Sequence, residues 1–410
     1  MTRLSDNARL AAADFATVFV PAWYQHGRDP RGGVAEALDT SDRSVLDAAK
    51  TTLTQSRTVF TLAHLHLATG NTSLLRAARE VHAFLDASLR DTDGGYRFSE
   101  GAGENCRLRR AYDQSFALLA LVTLRRADPQ AVPRSRIEDL WAFIETVLVE
   151  PRTGGLWEDD RMAEEGPAEG AVRSQNPHMH MLEALLQAYE MSGERIWLER
   201  ALPLLQIARD WLIDPATGAV REFVGPQLQP LESRDGVRRE PGHQYEWAWL
   251  LHRYCDLSGD GAWRSAAGRM VAFAERHGRR PEGPMAGAVF DGVDSDGRPI
   301  EDTHLLWPLT EAGKFYAALS VQTSDRAAAA KACAIANIVF DRYFPAADSG
   351  RLHWVNRLDR AGRVIWPEAL SRLLYHVALF VTEGARAGLW PVASSPHGER
   401  LILAHQEEKT

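Results

Sequence analysis

Cysteine is scarce in this chain. Its 410 residues hold three, Cys106, Cys255 and Cys333, far apart and without a Cys-x-x-Cys pair, so neither a disulfide framework nor a zinc knuckle is indicated. Long apolar runs are missing as well. The most apolar short run, FALLALVTL at 116–124, is far below the ~20 residues needed to cross a bilayer and reads as a buried helix. No Lys/Arg-rich block or basic stripe interleaved with aromatics occurs, and the net charge is −8, which argues against nucleic acid or an anionic membrane surface as partner. The start, MTRLSDNARLAAADFATVF, lacks the apolar core of a secretory signal, so the expectation is a cytoplasmic protein.

Several chemical signatures are also missing. There is no GxGxxG after a strand, no GxxxxGK[ST], no GxSxG and no HExxH, so nucleotide cofactors and serine-hydrolase chemistry have no local support. The pairs His64/His66 and His178/His180 stand two residues apart, which on a helix sends the rings to different sides and disfavours a two-histidine metal site. The expectation is therefore a protein without metal or cofactor.

What the sequence does contain is a repeat. Glycine-centred turns recur at Gly33, Gly95, Gly155, Gly218, Gly287 and Gly350, at intervals of 62, 60, 63, 69 and 63 residues. Repeats of constant length must be recognised before any motif is read, because they set the architecture. Between the markers the sequence reads as helix pairs. TLTQSRTVFTLAHLHLATG, YDQSFALLALVTLRRA, HMHMLEALLQAYEMSG and QYEWAWLLHRYCDLSG carry apolar residues at three- and four-residue spacing and end at Gly or a polar turn. A more charged helical stretch follows each, as in LLRAAREVHAFLDASLRD and WLERALPLLQIARDWLID. Two helices per unit, six times, predicts an all-α fold: an (α/α)6 barrel of twelve helices in inner and outer rings, forming a single domain over 1–410. An open solenoid is the competing architecture; six units is the number that closes a toroid and encloses a cavity.

Polar residues keep step with this repeat. Arg57, Gln114, His180, His243, Trp307 and His376, each near the start of a presumed inner helix, are separated by 57, 66, 63, 64 and 69 residues. In a closed toroid such positions converge on one pocket. Tyr112 accompanies Gln114, Glu183 follows His180, Glu246 follows His243 and Glu311 follows Trp307. The three-residue spacing places each His and its Glu on one helix face, and a carboxylate beside an imidazole fixes its tautomer and raises its basicity. The expectation is that Glu246 orients His243.

The stretches QSR (55–57), NPHMHMLEA (176–184), PGHQYEW (241–247) and LYHVAL (374–379), in this order over nearly the whole chain, resemble the N-acylglucosamine 2-epimerase superfamily, which includes mannose isomerases, sulfoquinovose isomerases and cellobiose 2-epimerases. The resemblance implies a cofactor-free (α/α)6 barrel acting on a small-molecule monosaccharide. It places Arg57, Asn176, His180, His243, Glu246 and His376 on the family's pocket positions, with His243 and His376 as the acid/base pair; Tyr112, Trp307 and Glu311 join them as substrate-binding candidates. Two departures, Leu53 where many members carry tryptophan and Pro308 after Trp307 in LLWPLTEAGKF (305–315), point to the mannose isomerase branch and away from N-acetylated or disaccharide substrates. The implied reaction is interconversion of D-mannose and D-fructose through a cis-enediol. The alternatives are 2-epimerisation by the same histidines and a carboxylate-driven glycoside hydrolase on the same barrel. A monomer or homodimer is expected, and the acidic segment 159–175 reads equally as a lid or as disordered decoration.

Overall fold

The computed structural model describes residues 3–391. The first helix, α1, runs over Asp6–Asp14, passes through a π turn (Phe15–Phe19) and continues as Val20–Gly27. The next pairs are α2 (Thr52–Thr69) with α3 (Thr72–Ser88), α4 (Ala111–Ala127) with α5 (Arg134–Phe143), and α6 (Asn176–Ser192) with α7 (Ile196–Ile207). After them come α8 (Pro241–Ser258) with α9 (Arg264–His277), α10 (Leu306–Thr323) with α11 (Arg326–Arg342), and finally α12 (Leu374–Arg386). Helices α2, α4, α6, α8, α10 and α12 each pack on the next, and α12 packs back on α2. The ring is closed, and the open solenoid is excluded.

Burial separates the rings in the way the sequence suggests. Helix α4 is buried almost continuously from Asp113 to Leu124, as befits a helix walled by neighbours on every side. In α3 only one stripe is buried, Leu74, Ala77, Ala78, Val81, Phe84 and Leu85, the three/four spacing of a helix with one wet face. The sixth outer place belongs to α1. It packs against α11 on one side and α3 on the other, and its π turn touches α12, so the first and last described helices meet where the ring closes. One continuous apolar core runs from Ala8 to Trp390. The single-domain expectation for 1–410 also takes in residues 1–2 and 392–410, which lie outside the described residues.

The glycine turns have a shared physical partner. In three units a buried glutamine at the start of the inner helix clamps the backbone just after the marker turn with both amide atoms. Gln55 grips Val34, Gln114 grips Tyr96 and Gln244 grips Val220, at 2.7–3.1 Å. In a fourth unit His178 Nε2 accepts from Leu156 N–H at 2.9 Å. Each clamp satisfies buried polar groups that would otherwise cost about 1–3 kcal/mol apiece, and at Gly33 and Gly155 the absent side chain leaves room for the clamping residue. A Cβ on Gly33, which has φ +72°, would lie 2.7 Å from Gln55 Oε1. Gln114 is therefore a structural clamp and not a pocket residue, so the in-phase pocket position of that unit is Tyr112.

Segments between an outer helix and the following inner helix form short antiparallel pairs. Ala37–Leu38 pairs with Ala369–Leu370, Arg173–Ser174 with Phe223–Val224, and His304–Leu305 with Arg357–Leu358, which also pairs with Val364–Trp366. The acidic segment 159–175 is not a free loop. It opens with a short helix (Asp160–Glu165) capped by Asp159, ends in a strand, and is tied down by Arg109–Asp160, Arg161–Glu104 and the Glu158–Ser174 hydrogen bonds. Among the described residues no helix is long and apolar enough to cross a membrane.

Candidate active site

At the mouth where the inner helices begin lies a cavity of about 270 Å³, lined by Arg57, Tyr112, Asn176, His180, His243, Glu246, Trp307 and His376. Eight of the nine residues singled out from the sequence therefore share one pocket. All stand in the first two turns of their helices, so six helix N-termini, with their partial positive charge, face the same space. The ninth, Glu311, is fully buried behind it and does not line it. Its Oε1 accepts from His376 Nδ1 at 2.8 Å. Glu311 supports a histidine and does not touch the contents of the cavity.

The expected pairing of His243 with Glu246 is wrong. His243 Nδ1 lies 2.7 Å from Glu222 Oε2, with Glu240 Oε2 at 3.3 Å. The i,i+3 argument fails because His243 sits in the first turn, where its ring turns outward to the segment before the helix, while Glu246 points inward. Glu222 is itself anchored, its Oε1 accepting from Glu240 N–H at 2.9 Å. For the other pair the rule holds: His180 Nδ1 and Glu183 Oε2 are 3.0 Å apart, and Tyr375 donates to the same carboxylate oxygen. His178, two residues from His180, points away into its backbone clamp, as the helix period requires.

These surroundings drive the imidazoles apart. Burial alone would lower His243, but the charges of Glu222 and Glu240 outweigh it and raise it to about 9. His243 is therefore a cation near neutral pH, with Nε2–H as its remaining donor. His376 moves the opposite way: burial, then the charges of Arg57 and Lys314, hold it well below the usual histidine range. His180 is also neutral, lowered by burial to about 4 despite Glu183. Since a neutral imidazole that donates from Nδ1 has its lone pair on Nε2, His376 and His180 each bring an acceptor to the cavity.

Glu246 has a different character. It is 1% exposed, and neither carboxylate oxygen has a hydrogen-bond partner. Burial, then the nearby charge of Glu311, raises it well above the carboxylate range, so it is a neutral carboxylic acid with an O–H to offer the cavity. Arg57 lies over the rings of Phe116 (4.1 Å) and Tyr375 (4.8 Å), and donates to Tyr112 Oη at 2.8 Å. Trp307 lies against both His243 and His376, its ring centre 4.7 and 5.8 Å from theirs and tilted by 37° and 38°.

Sequence reasoning missed Glu222, Glu240, Asn356, Trp366 and Arg372. The last four line the cavity, Glu240 from just before α8 and the others from the strand segments and the turn before α12, where no helical period marks them. Three groupings bring metal-capable atoms within 4.8 Å of one another: His180, Glu183 and Glu246; Glu222, Glu240 and His243; Glu246, Glu311 and His376. In each, the histidine nitrogen nearest the carboxylates is already engaged by one of them.

A closed (α/α)6 ring with histidine–carboxylate pairs around a polar, aromatic-floored pocket defines the class: a barrel enzyme built for proton transfer. The chain belongs to the N-acylglucosamine 2-epimerase (GlcNAc 2-epimerase) family, whose model matches residues 32–379. It is 31% identical to a mannose-6-phosphate isomerase of Rhizobium meliloti (strain 1021), over 71% of this chain and 74% of that one. It is 30% identical to a D-mannose isomerase of Thermobifida fusca, over 65% and 67%. Among solved structures, the cellobiose 2-epimerase from Bacillus thermoamylovorans B4167 superposes with a TM-score of 0.78 at 18% identity, covering 92% of this chain and 98% of that one.

Proposed function

We propose that this protein is a sugar isomerase that interconverts D-mannose and D-fructose. One observation carries the reading: two imidazoles on one cavity, His243 held as the acid and His376 held as the free base, each fixed at Nδ1 by its own carboxylate.

The steps follow from those charge states. His243 donates its Nε2 proton to the ring oxygen as the C1–O bond breaks and the anomeric hydroxyl gives up its own proton to water, which opens the pyranose and lets solvent restore the imidazolium. His376 Nε2 removes the C2 proton, the O2 proton passes to O1 across the cis-enediol, and the same nitrogen returns its proton to C1 while C2 becomes the ketose carbonyl. Negative charge grows on O1 as C2 is deprotonated. Arg57, the Glu246 O–H and the ring of helix N-termini are the groups suited to stabilise it. His180 cannot donate to that oxygen, because its Nδ1 proton points to Glu183; its Nε2 accepts from a substrate hydroxyl instead. Trp307, against both histidines, supplies an apolar face for the sugar carbons.

The second reading is 2-epimerisation, which needs imidazoles on opposite faces of the enediol. Relatives named cellobiose 2-epimerase, 23% identical, favour keeping it. Proton NMR of the enzyme with D-mannose in D2O and EDTA separates the two. Fructose without glucose supports isomerisation, glucose as first product moves the assignment to epimerisation, and no reaction removes D-mannose as substrate. His376→Ala abolishes either reaction, whereas a carboxylate-driven hydrolase on this barrel would survive it.

A further inference from the structure

At the inner wall of the cavity and behind it, four helices bring together three acidic side chains: Glu183 on α6, the cavity-lining Glu246 on α8 and Glu311 on α10, with Tyr375 and His376 of α12 against them. Into this group projects Lys314, one turn after Glu311, with no exposed side-chain surface. Its Nζ lies 2.5 Å from Glu311 Oε2, an ion pair and not an aligned hydrogen bond, and 4.0 Å from the Trp249 ring centre. Among the described residues no other lysine or arginine contacts any of the three carboxylates. Burying an ion pair is a poor route to stability, because desolvation offsets the attraction. A charge placed there has to be explained by what it does to its neighbours.

We propose that Lys314 is a positioning residue: by holding Glu311 as a carboxylate, it keeps the His376 proton on Nδ1 and leaves Nε2 with its lone pair for the substrate. The inference deepens the isomerase reading and rests on it for the identity of the base. Burial, helped by the charge of Glu183, raises Glu311 above the ordinary carboxylate value, and the Lys314 ammonium is the largest influence holding that rise in check. Lys314 answers chiefly to Glu311, whose charge, with that of Glu183, keeps it protonated against its burial. Without the ammonium, burial prevails and Glu311 takes up a proton. A protonated Glu311 donates to His376 Nδ1, the imidazole proton moves to Nε2, and the base is lost while every side chain stays in place. Glu246 does not substitute, because neither of its oxygens contacts a hydrogen-bond partner.

The test uses the intact enzyme labelled with ¹⁵N-histidine, in three forms: wild type, Lys314→Met, and Glu311→Gln/Lys314→Met. Ring nitrogen shifts report the His376 tautomer without any substrate, and the His376→Asn spectrum assigns them. Wild type shows Nδ1–H. Lys314→Met moves to Nε2–H and loses at least ~30-fold in kcat with little change in KM, a modest share of the ~10⁴-fold that a wrong tautomer costs a serine protease. In the double variant the amide oxygen accepts from Nδ1–H with no ammonium competing for it, so the tautomer returns and kcat recovers ~10-fold or more. If Lys314→Met does not fold, the charge-neutral double variant compared with Glu311→Gln carries the same test, the single variant being the slower. An unchanged tautomer in Lys314→Met, or a double variant no faster than the single, overturns the proposal. If no sugar is turned over but the tautomers switch as described, the role of Lys314 stands and the isomerase reading falls.

Discussion

Replacing Glu222 by glutamine removes the charge that makes His243 an acid and keeps the shape of the contact. Glu222 is 2% exposed and its Oε2 is 2.7 Å from His243 Nδ1. The rise of His243 from 6.5 to about 9 corresponds to about 3 kcal/mol of preference for the imidazolium. In Glu222→Gln, burial outweighs the remaining charge of Glu240, and His243 falls to 6.5 or lower. At pH 8 the wild-type ring is then mostly protonated and the variant ring mostly neutral, so kcat/KM for D-mannose drops at least ~30-fold. At pH 5.5 the drop is smaller than at pH 8. A kcat/KM profile from pH 5 to 10 shows the alkaline limb moving from near 9 to below 7. Stability follows the same group: a folded-state pKa above the unfolded value stabilises fully below about pH 6.5 and loses that contribution as pH rises through about 9. The Tm deficit of Glu222→Gln is therefore largest near pH 6 and closes by pH 10. An alkaline limb that stays at 9 in the variant would refute the assignment of His243 as the acid and of Glu222 as its partner.

Glu246→Gln gives the contrasting result. A neutral amide replaces a neutral acid with no hydrogen-bond partner, so Tm changes little at pH 7 and the alkaline limb stays where it is, while kcat falls because the amide N–H is a weaker donor than the carboxylic O–H; a limb that moves would return Glu246 to the His243 pair. A Cβ at Gly242 would sit 2.6 Å from the Trp307 ring, so Gly242→Ala displaces the stacking face, and KM for D-mannose should rise several-fold while circular dichroism and the pH profile stay the same. Gly313→Ala drives a methyl to 2.4 Å from the Phe380 ring in the core. It should cost about 1–3 kcal/mol in urea unfolding with KM unaffected.

The architecture was legible because a repeat declares itself in one dimension. Marker glycines near every sixty residues and helices of two amphipathic kinds are local properties, and closure at six units needs only the count. Seven of the eight cavity residues were legible for the same reason, since phase within a repeat becomes position around a ring; Asn176 was legible only through the family resemblance. Gln114 shows the limit of that reasoning: it keeps the phase and serves as a clamp, because phase locates a residue along a helix and does not say which way its side chain turns.

The pairings were a different matter. His180 and Glu183 could be matched from spacing, as both ride one helix face. His243 meets Glu222, twenty-one residues earlier, and His376 meets Glu311 from the neighbouring helix, sixty-five residues away. Nothing in the local pattern couples such residues. The charge states followed from the pairings and from burial, so the sequence offered two equivalent histidines, and only the tertiary structure made one a cation flanked by two carboxylates and the other a neutral base. By itself the sequence determined the helices, their number, the closed ring and the residues that share its mouth, because helix period and repeat length are written along the chain. Which carboxylate faces which imidazole, and where each proton resides, depends on distances of about 3 Å between side chains on different elements in a desolvated interior, and those distances exist only once the ring has closed.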